Sequence, residues 1–234
     1  MKTKCCMQLF SAAIVFLLCL TSFAGEKLEN ITTESEFEYF TQAYYMHPQP
    51  ELIPRAIEYL GSSRLLTKHK NAELPTAAFF SKLFLDNSAL VGGLRKVIDR
   101  QDPETQALLI KAINNTPEQL AKQTANGAAQ NDIFWGAFFA SGDYAYLNKL
   151  IDQLKFLDER KDIGLYLTAA SAKWSLSSNA RTHFRVRMAM EAMKVGDVRK
   201  MRPIATDILE KTPEQIREET AEVIREQKEK GVWK

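Results

Sequence analysis

A chain of 234 residues with a formal net charge of +2 lacks the strong basic excess that is typical of general nucleic-acid-binding proteins. Its three cysteines, Cys5, Cys6 and Cys19, all lie within the first 24 residues. The rest of the chain therefore has no thiol for a disulfide, a cysteine-ligated zinc, an iron–sulfur cluster or a cysteine nucleophile.

Residues 1–24 have the pattern of an export signal. Lys2 and Lys4 form a short positive segment, residues 7–20 form an apolar segment, and the last three residues offer the small-residue pattern that signal peptidase cleaves. The apolar segment is shorter than the roughly 20 residues that a membrane span needs. We therefore expect cleavage after Ala24, no membrane span in the mature chain, and a periplasmic or secreted location. An exported chain without cysteines favours a bacterial envelope.

The remaining residues, 25–234, predict a single all-α domain. Apolar residues recur at spacings of three and four, glycine and proline fall between helix-length segments, and no stretch alternates as strands do. The helix of residues 76–85 is apolar on nearly every face, so we expect it at the centre of the core. The predicted helices cover 34–46, 51–60, 76–85, 88–100, 103–113, 132–140, 144–156, 162–176, 178–195, 198–210 and 213–230, with a further helix beginning at 117.

Several helix ends carry local capping signals. The same four residue types occur at Thr116–Gln119 and Thr212–Gln215, each with threonine as the cap, proline at the first helical position and glutamine at the third. Thr33 or Thr32 is expected to cap the first helix. Gly61 is expected to end the second helix in the left-handed conformation.

The turn at Gly142-Asp143-Tyr144, with Leu147 beyond it, resembles the turn and second-helix start of a tetratricopeptide repeat. The resemblance implies stacked antiparallel helical hairpins, of which residues 132–140 and 144–156 form one, and a role in binding a protein or peptide. The second Gly-Asp pair, at 196–197, does not fall on the family's period of about 34 residues, which favours an irregular α-solenoid or helical array. The last helix, about 213–230, is expected to cap the stack.

Charge is unevenly distributed along the chain. Residues 25–59 carry seven acidic and two basic side chains, whereas residues 181–202 carry seven basic and two acidic ones. The basic segment is either a set of solvated faces or a groove for an anionic ligand or partner.

The residues just before this basic segment are the densest group of candidate ligand contacts. Ser177, Ser178 and Asn179 are predicted to begin a helix, whose free N–H groups favour anions, and Arg181 and Arg185 follow at four-residue spacing. Alternatively, Ser178 only caps its helix and the arginines are solvated or paired with acids. Trp174 and His183 lie at the two ends of this group, and Trp135 belongs to the aromatic-rich helix of residues 132–140. The candidate binding residues are therefore Trp135, Trp174, Asn179, Arg181, His183 and Arg185.

No chemical motif points to catalysis. The three histidines, His47, His69 and His183, lack the spacing of metal ligands, and nucleotide-binding and nucleophile motifs are missing, so we predict no metal site and no cofactor. The sequence favours an exported helical binding or assembly factor that acts through protein–protein contacts at the bacterial envelope. The alternative is an envelope hydrolase with a catalytic carboxylate in an aromatic groove, which predicts a cleft holding a carboxylate of raised pKa.

Overall fold

The computed structural model describes residues 27–124 and 127–233, and the predicted signal segment lies outside these ranges. Thirteen α-helices, three short 3-10 turns and no strand occur in the described residues, which confirms the all-α class. None of these helices combines the length and the apolar character that a membrane crossing needs.

The internal contacts of the chain divide it into two compact units. Among the described residues, the first comprises 27–123 together with Asp132–Asp143, and the second comprises 124, 127–131 and 144–233. The single domain therefore stays a prediction. The helices predicted as a hairpin, 132–140 and 144–156, fall in different units, so their pairing also stays a prediction.

The helices of the first unit are α1 Glu34–Ala43, α2 Ile53–Ser63, α3 Leu65–Lys68, α4 Glu73–Asp86, α5 Ser88–Ile98, α6 Pro103–Asn114 and α7 Pro117–Lys122. Helix α8, Gly127–Ser141, begins among the residues of the second unit and continues among those of the first. The second unit continues with α9 Tyr144–Gln153, α10 Ile163–Asn179, α11 Phe184–Val195, α12 Met201–Glu210 and α13 Pro213–Glu229. The 3-10 turns are Pro50–Leu52, Lys70–Ala72 and Leu154–Phe156.

Helix α4 lies at the centre of the first unit, as its apolar sequence predicted. It packs against α5, α6 and α7, and Phe79, Phe80 and Leu83 are almost completely buried. The rings of Phe79 and Phe80 meet edge to face with their centroids 5.3 Å apart. Aromatic pairs in this geometry add about 0.5–1.5 kcal/mol to the stabilisation from burial.

The predicted capping boxes are all present. Thr116 and Thr212 each accept a hydrogen bond from the glutamine N–H three residues on, and each glutamine side chain accepts one from the threonine N–H. Thr33 forms the equivalent box with Glu36.

The prediction for Gly61 is wrong. Helix α2 continues to Ser63, and Arg64 is the residue that adopts the left-handed conformation, with φ of 54°. Gly61 is instead buried within the helix, where the Cβ of any other residue would overlap the Gln101 side chain. Close packing therefore explains this glycine better than the end of a helix does.

Helix α10 lies at the centre of the second unit and packs against α9, α11, α12 and α13. The last helix, α13, buries Ile216, Thr220 and Ile224 on the side that faces α10, while most of its other residues are exposed or half-buried. One-sided burial is typical of a helix at the end of an array, and the capping role of α13 stays a prediction.

Candidate functional site

The segment predicted to begin a helix at Ser178 is in fact the end of one. Ser177, Ser178 and Asn179 form the last turn of α10 and are buried. The Asn179 amide donates to the Ser175 carbonyl, and the Ser177 hydroxyl donates to the Lys211 carbonyl, each at 2.9 Å. A helix end presents carbonyl oxygens and the negative end of the dipole, so the predicted anion site at a helix N-terminus is wrong.

The structure separates the six candidate binding residues. Trp135 belongs to the first unit, where its ring stacks on Phe139 with centroids 5.4 Å apart, and the other five belong to the second unit. Those that are buried are Trp135, Trp174, Asn179 and His183. Only Arg181 and Arg185 are exposed, so they are the two members of the set that a partner can reach directly.

His183 is placed between α10 and α11 and does not act as a cation. Its side chain is 1% exposed, and burial lowers its pKa to about 4. Because the imidazole is neutral at physiological pH, it cannot attract an anionic ligand by charge.

Both exposed arginines make contacts within the second unit. The Arg181 guanidinium donates a 2.9 Å hydrogen bond to the Lys211 carbonyl at the end of α12. The Arg185 guanidinium lies over the Tyr144 ring, 5.9 Å from its centroid. Tyr144 is 43% exposed, so this cation–π pair lies at the surface.

The residues that sequence reasoning missed are apolar and lie on α11. Phe184, Met188 and Val195 are 71%, 47% and 78% exposed. At 100° per residue they lie within about 40° of one another around the helix, so they form one face, which we call the α11 stripe. Val186 and Met190 lie on the opposite side of the helix and are fully buried.

Helix α11 therefore has apolar residues on two opposite sides, of which only one is buried. Its main neighbour is α12, with a smaller contact to α10. An amphipathic helix at the edge of a unit normally carries one apolar face. The spacing of Phe184 and Met188 against Val186 and Met190 is the signal in the sequence that could have identified this second face.

Basic side chains border the α11 stripe. Arg185 and Arg187 are exposed and lie about 80° to either side of it around the helix; we call them the arginine flanks. Beyond the helix end, Arg199 and Lys200 are also exposed. Within this basic segment the Lys194 ammonium lies 3.1 Å from the Glu210 carboxylate, which neutralises part of its charge.

One acidic residue lies on the stripe itself. Glu191 follows Phe184 by seven residues, which places it about 20° from Phe184 around the helix and between Met188 and Val195 along it. Its side chain is half-buried. The stripe therefore combines three apolar positions with one negative charge.

Two carboxyl groups of the first unit have strongly raised pKa values. Burial and the neighbouring Glu34 carboxylate raise the pKa of Glu38 to about 7, and burial raises that of Asp132 to about 7. An open cavity of about 510 Å³ in this unit is lined by residues including Arg55 and Tyr59, but neither Glu38 nor Asp132 lines it. One carboxylate, Glu58, lines this cavity, but neither of the two carboxyls with raised pKa does.

In the ranges that the structure describes, no group of three histidine, aspartate or glutamate side chains is placed to hold a metal ion. No protein-family model matches the sequence, and comparisons with characterised proteins and with solved structures give no significant match.

Proposed function

We propose that the protein is a binding or assembly factor that acts through protein–protein contacts, and that the α11 stripe is the surface that holds a helical segment of its partner. The observation that carries the proposal is the exposure of Phe184, Met188 and Val195 on one helix face. Large apolar side chains that share an exposed face mark interaction sites more often than isolated ones do. Action at the bacterial envelope rests on the predicted export signal and is part of the proposal.

The geometry of the stripe supports a helical partner. Phe184 and Val195 are eleven residues apart on α11, which corresponds to about 16 Å along the helix axis. This length suits a second helix that lies alongside at a small crossing angle and packs its own apolar row against the stripe. Phe184 is the natural anchor, because it is the one aromatic side chain of the stripe and is 71% exposed, so it has the largest apolar area to bury against a partner.

The first step of the test identifies the partner by position. A photo-crosslinking amino acid replaces Met188 and, in a second version of the protein, replaces Leu85, an exposed apolar residue of the first unit. We expect crosslinks from position 188 to a defined protein and none to the same protein from position 85. Equal crosslinking from both positions would overturn the proposal.

The second step measures affinity with the purified partner. Replacement of both Phe184 and Met188 by alanine should raise the dissociation constant by at least about tenfold, because two apolar contacts are lost. The matched control, Leu85→Ala, removes an equally exposed apolar side chain elsewhere and should leave the constant unchanged. Unchanged affinity in the double variant would contradict a protein-binding role for the stripe. The same role would be contradicted if the double variant lost binding only to vesicles that contain phosphatidylglycerol and kept its affinity for the protein partner.

A further inference from the structure

The charges around the α11 stripe restrict what kind of helix fits it. Arg185 and Arg187 lie on opposite sides of the stripe, and residues 181–202 carry seven basic side chains against two acidic ones. In paired helices, side chains at the edges of the apolar seam meet those at the edges of the partner's seam and select the partner by charge. A partner with basic edges would be repelled on both sides.

We propose that the segment held by the stripe is an acidic amphipathic helix of another protein, with carboxylates opposite Arg185 and Arg187 and a single basic residue opposite Glu191. This inference rests on the proposed function and names the chemistry of the partner. Arginine suits the role, because its planar guanidinium pairs with a carboxylate through two parallel hydrogen bonds.

Glu191 fixes the register of the complex. It lies on the stripe between Met188 and Val195, so a bound helix covers it. A covered carboxylate without a partner is costly, whereas one paired with a lysine or arginine is tolerated. A single polar residue in an apolar seam is a common way to set the alignment of two helices at some cost in affinity.

The acidic N-terminal part of a second copy is a poor source of such a helix. Three of its acidic side chains already have ion-pair partners: Glu34 lies 3.1 Å from His69, Glu51 lies 3.2 Å from Lys27, and Glu58 lies 2.7 Å from Arg55. The apolar residues of α1 are buried within the first unit. The other acidic helix, α13, buries its apolar residues on the side that faces α10. Neither helix keeps an apolar face exposed for the stripe, which favours a different protein as the source of the complementary charge.

The probe for the test is a set of three synthetic helical peptides with the same leucine seam and one central lysine. Their seam edges carry glutamate, glutamine or lysine. Fluorescence anisotropy with the full protein should show that the glutamate peptide binds at least about tenfold more tightly than the glutamine peptide, and that the lysine peptide does not bind. The preference for glutamate should weaken as salt is raised, because the flanks are exposed.

Charge reversal provides the decisive comparison. The variant with both Arg185→Glu and Arg187→Glu should no longer bind the glutamate peptide and should bind the lysine peptide. The control variant Arg225→Glu, on the exposed face of α13, should change neither affinity. Glu191→Leu should bind a peptide whose central lysine is replaced by leucine more tightly than the native protein does. Equal binding of all three peptides, or no inversion in the reversed variant, would overturn the inference.

The two proposals fail in different ways. If position 188 crosslinks to a partner but the peptides show no dependence on edge charge, the acidic helix is wrong and the binding role of the stripe stands. If sedimentation shows that the protein associates with itself through Phe184, the occupant is a second copy and the inference is overturned.

Discussion

The indole Nε1–H of Trp233 donates a 2.7 Å hydrogen bond to the main-chain carbonyl of Arg160, 73 residues earlier in the sequence. The Trp233 ring also lies against Tyr166 of α10, with centroids 5.1 Å apart, and is 4% exposed. Its backbone N–H donates to the carbonyl of Gln227 near the end of α13. The residues that follow the last helix are thereby fixed to the start of the central helix of the second unit.

Replacement of Trp233 by alanine should lower the free energy of unfolding by about 3 kcal/mol, because a large buried ring and its hydrogen bond are both lost. Trp233→Phe keeps an aromatic ring and loses the N–H donor, so its cost should be smaller, about 1–2 kcal/mol. Urea unfolding followed by circular dichroism measures both. The control is Val232→Ala, which is 48% exposed and should change the value by less than about 0.5 kcal/mol. Equal midpoints for Trp233→Ala and the native protein would contradict this role.

Two glycines in the middle of α5 have no packing reason to be glycine. A Cβ added at Gly92 or Gly93 meets no atom within 4 Å, and both residues are exposed. Each replacement by alanine should therefore stabilise the protein by about 0.5–1 kcal/mol, because alanine loses less backbone entropy in a helix.

Thermal unfolding of the two alanine variants checks this prediction, and Gly136→Ala is the matched opposite case. A Cβ at Gly136 would overlap the Pro75 carbonyl oxygen, so this variant should unfold at a lower temperature than the native protein. A lower unfolding temperature for Gly92→Ala than for the native protein would contradict this prediction. It would show that the folded protein needs glycine at this position of α5.

The structural features that depend on a few neighbouring residues were predicted correctly from the sequence. The boxes at Thr116 and Thr212 are made within four residues, so their residue types alone were enough to place two helix starts. The largely apolar composition of residues 76–85 likewise predicted a buried central helix, since such a helix has little polar surface for water to solvate.

Signals that depend on distant contacts were misread. Gly61 packs closely against the side chain of Gln101, forty residues away, and the predicted helix end was placed three residues too early. The serines at the end of α10 were misread as the N-terminal cap of a new helix. The Ser177 hydroxyl instead donates to the Lys211 carbonyl, and this last turn of α10 is buried. The sequence contains the two apolar faces of α11, but which of them stays exposed depends on which helices lie against α11.

The carboxyl of Asp132, a half-buried residue, should make the protein less stable as pH rises. Its pKa is raised from an ordinary 3.8 to about 7, so between these values the folded chain keeps a proton that the unfolded chain has released. The free energy of unfolding therefore falls with increasing pH across this window, by at most about 1.4 kcal/mol per pH unit from this group. Below pH 3.8 both states are protonated and the effect is absent.

Asp132→Asn removes this titration and nearly preserves the side-chain volume. We expect the stability of the variant relative to the native protein to increase by roughly 2–4 kcal/mol between pH 4 and pH 8. Urea midpoints at both pH values give this difference. Glu38 titrates in the same window, but it is present in both proteins, so its contribution to the difference cancels. Parallel pH profiles of the two proteins would show that the Asp132 carboxyl is solvated in the folded state.

Asp207 joins three helices of the second unit. Its carboxylate lies 2.6 Å from the ammonium of Lys173 on α10 and 2.9 Å from that of Lys211, which in turn lies 2.6 Å from Glu219 on α13. Burial alone would raise the pKa of Asp207, but the hydrogen bonds from the two lysines outweigh it and lower the pKa below 3.8. The Lys173 side chain is only 13% exposed, and its second carboxylate, Glu219, is more distant at 3.8 Å, so Asp207 is its main source of compensation.

Asp207→Asn should therefore destabilise the protein at pH 7 and have a smaller effect in acid. Because the folded-state pKa is lowered, the native protein has the full contribution above the ordinary value of 3.8 and loses it as pH falls through the folded-state value. We expect a loss of about 1–3 kcal/mol at pH 7, since the mostly buried Lys173 ammonium loses its nearest carboxylate. Glu222→Gln, which breaks the exposed 3.0 Å pair with Arg225, should cost less than about 0.5 kcal/mol at the same pH. Urea unfolding at pH 7 and pH 2.5 measures the difference, and a loss that stays the same at both pH values would assign Asp207 a packing role instead of an electrostatic one.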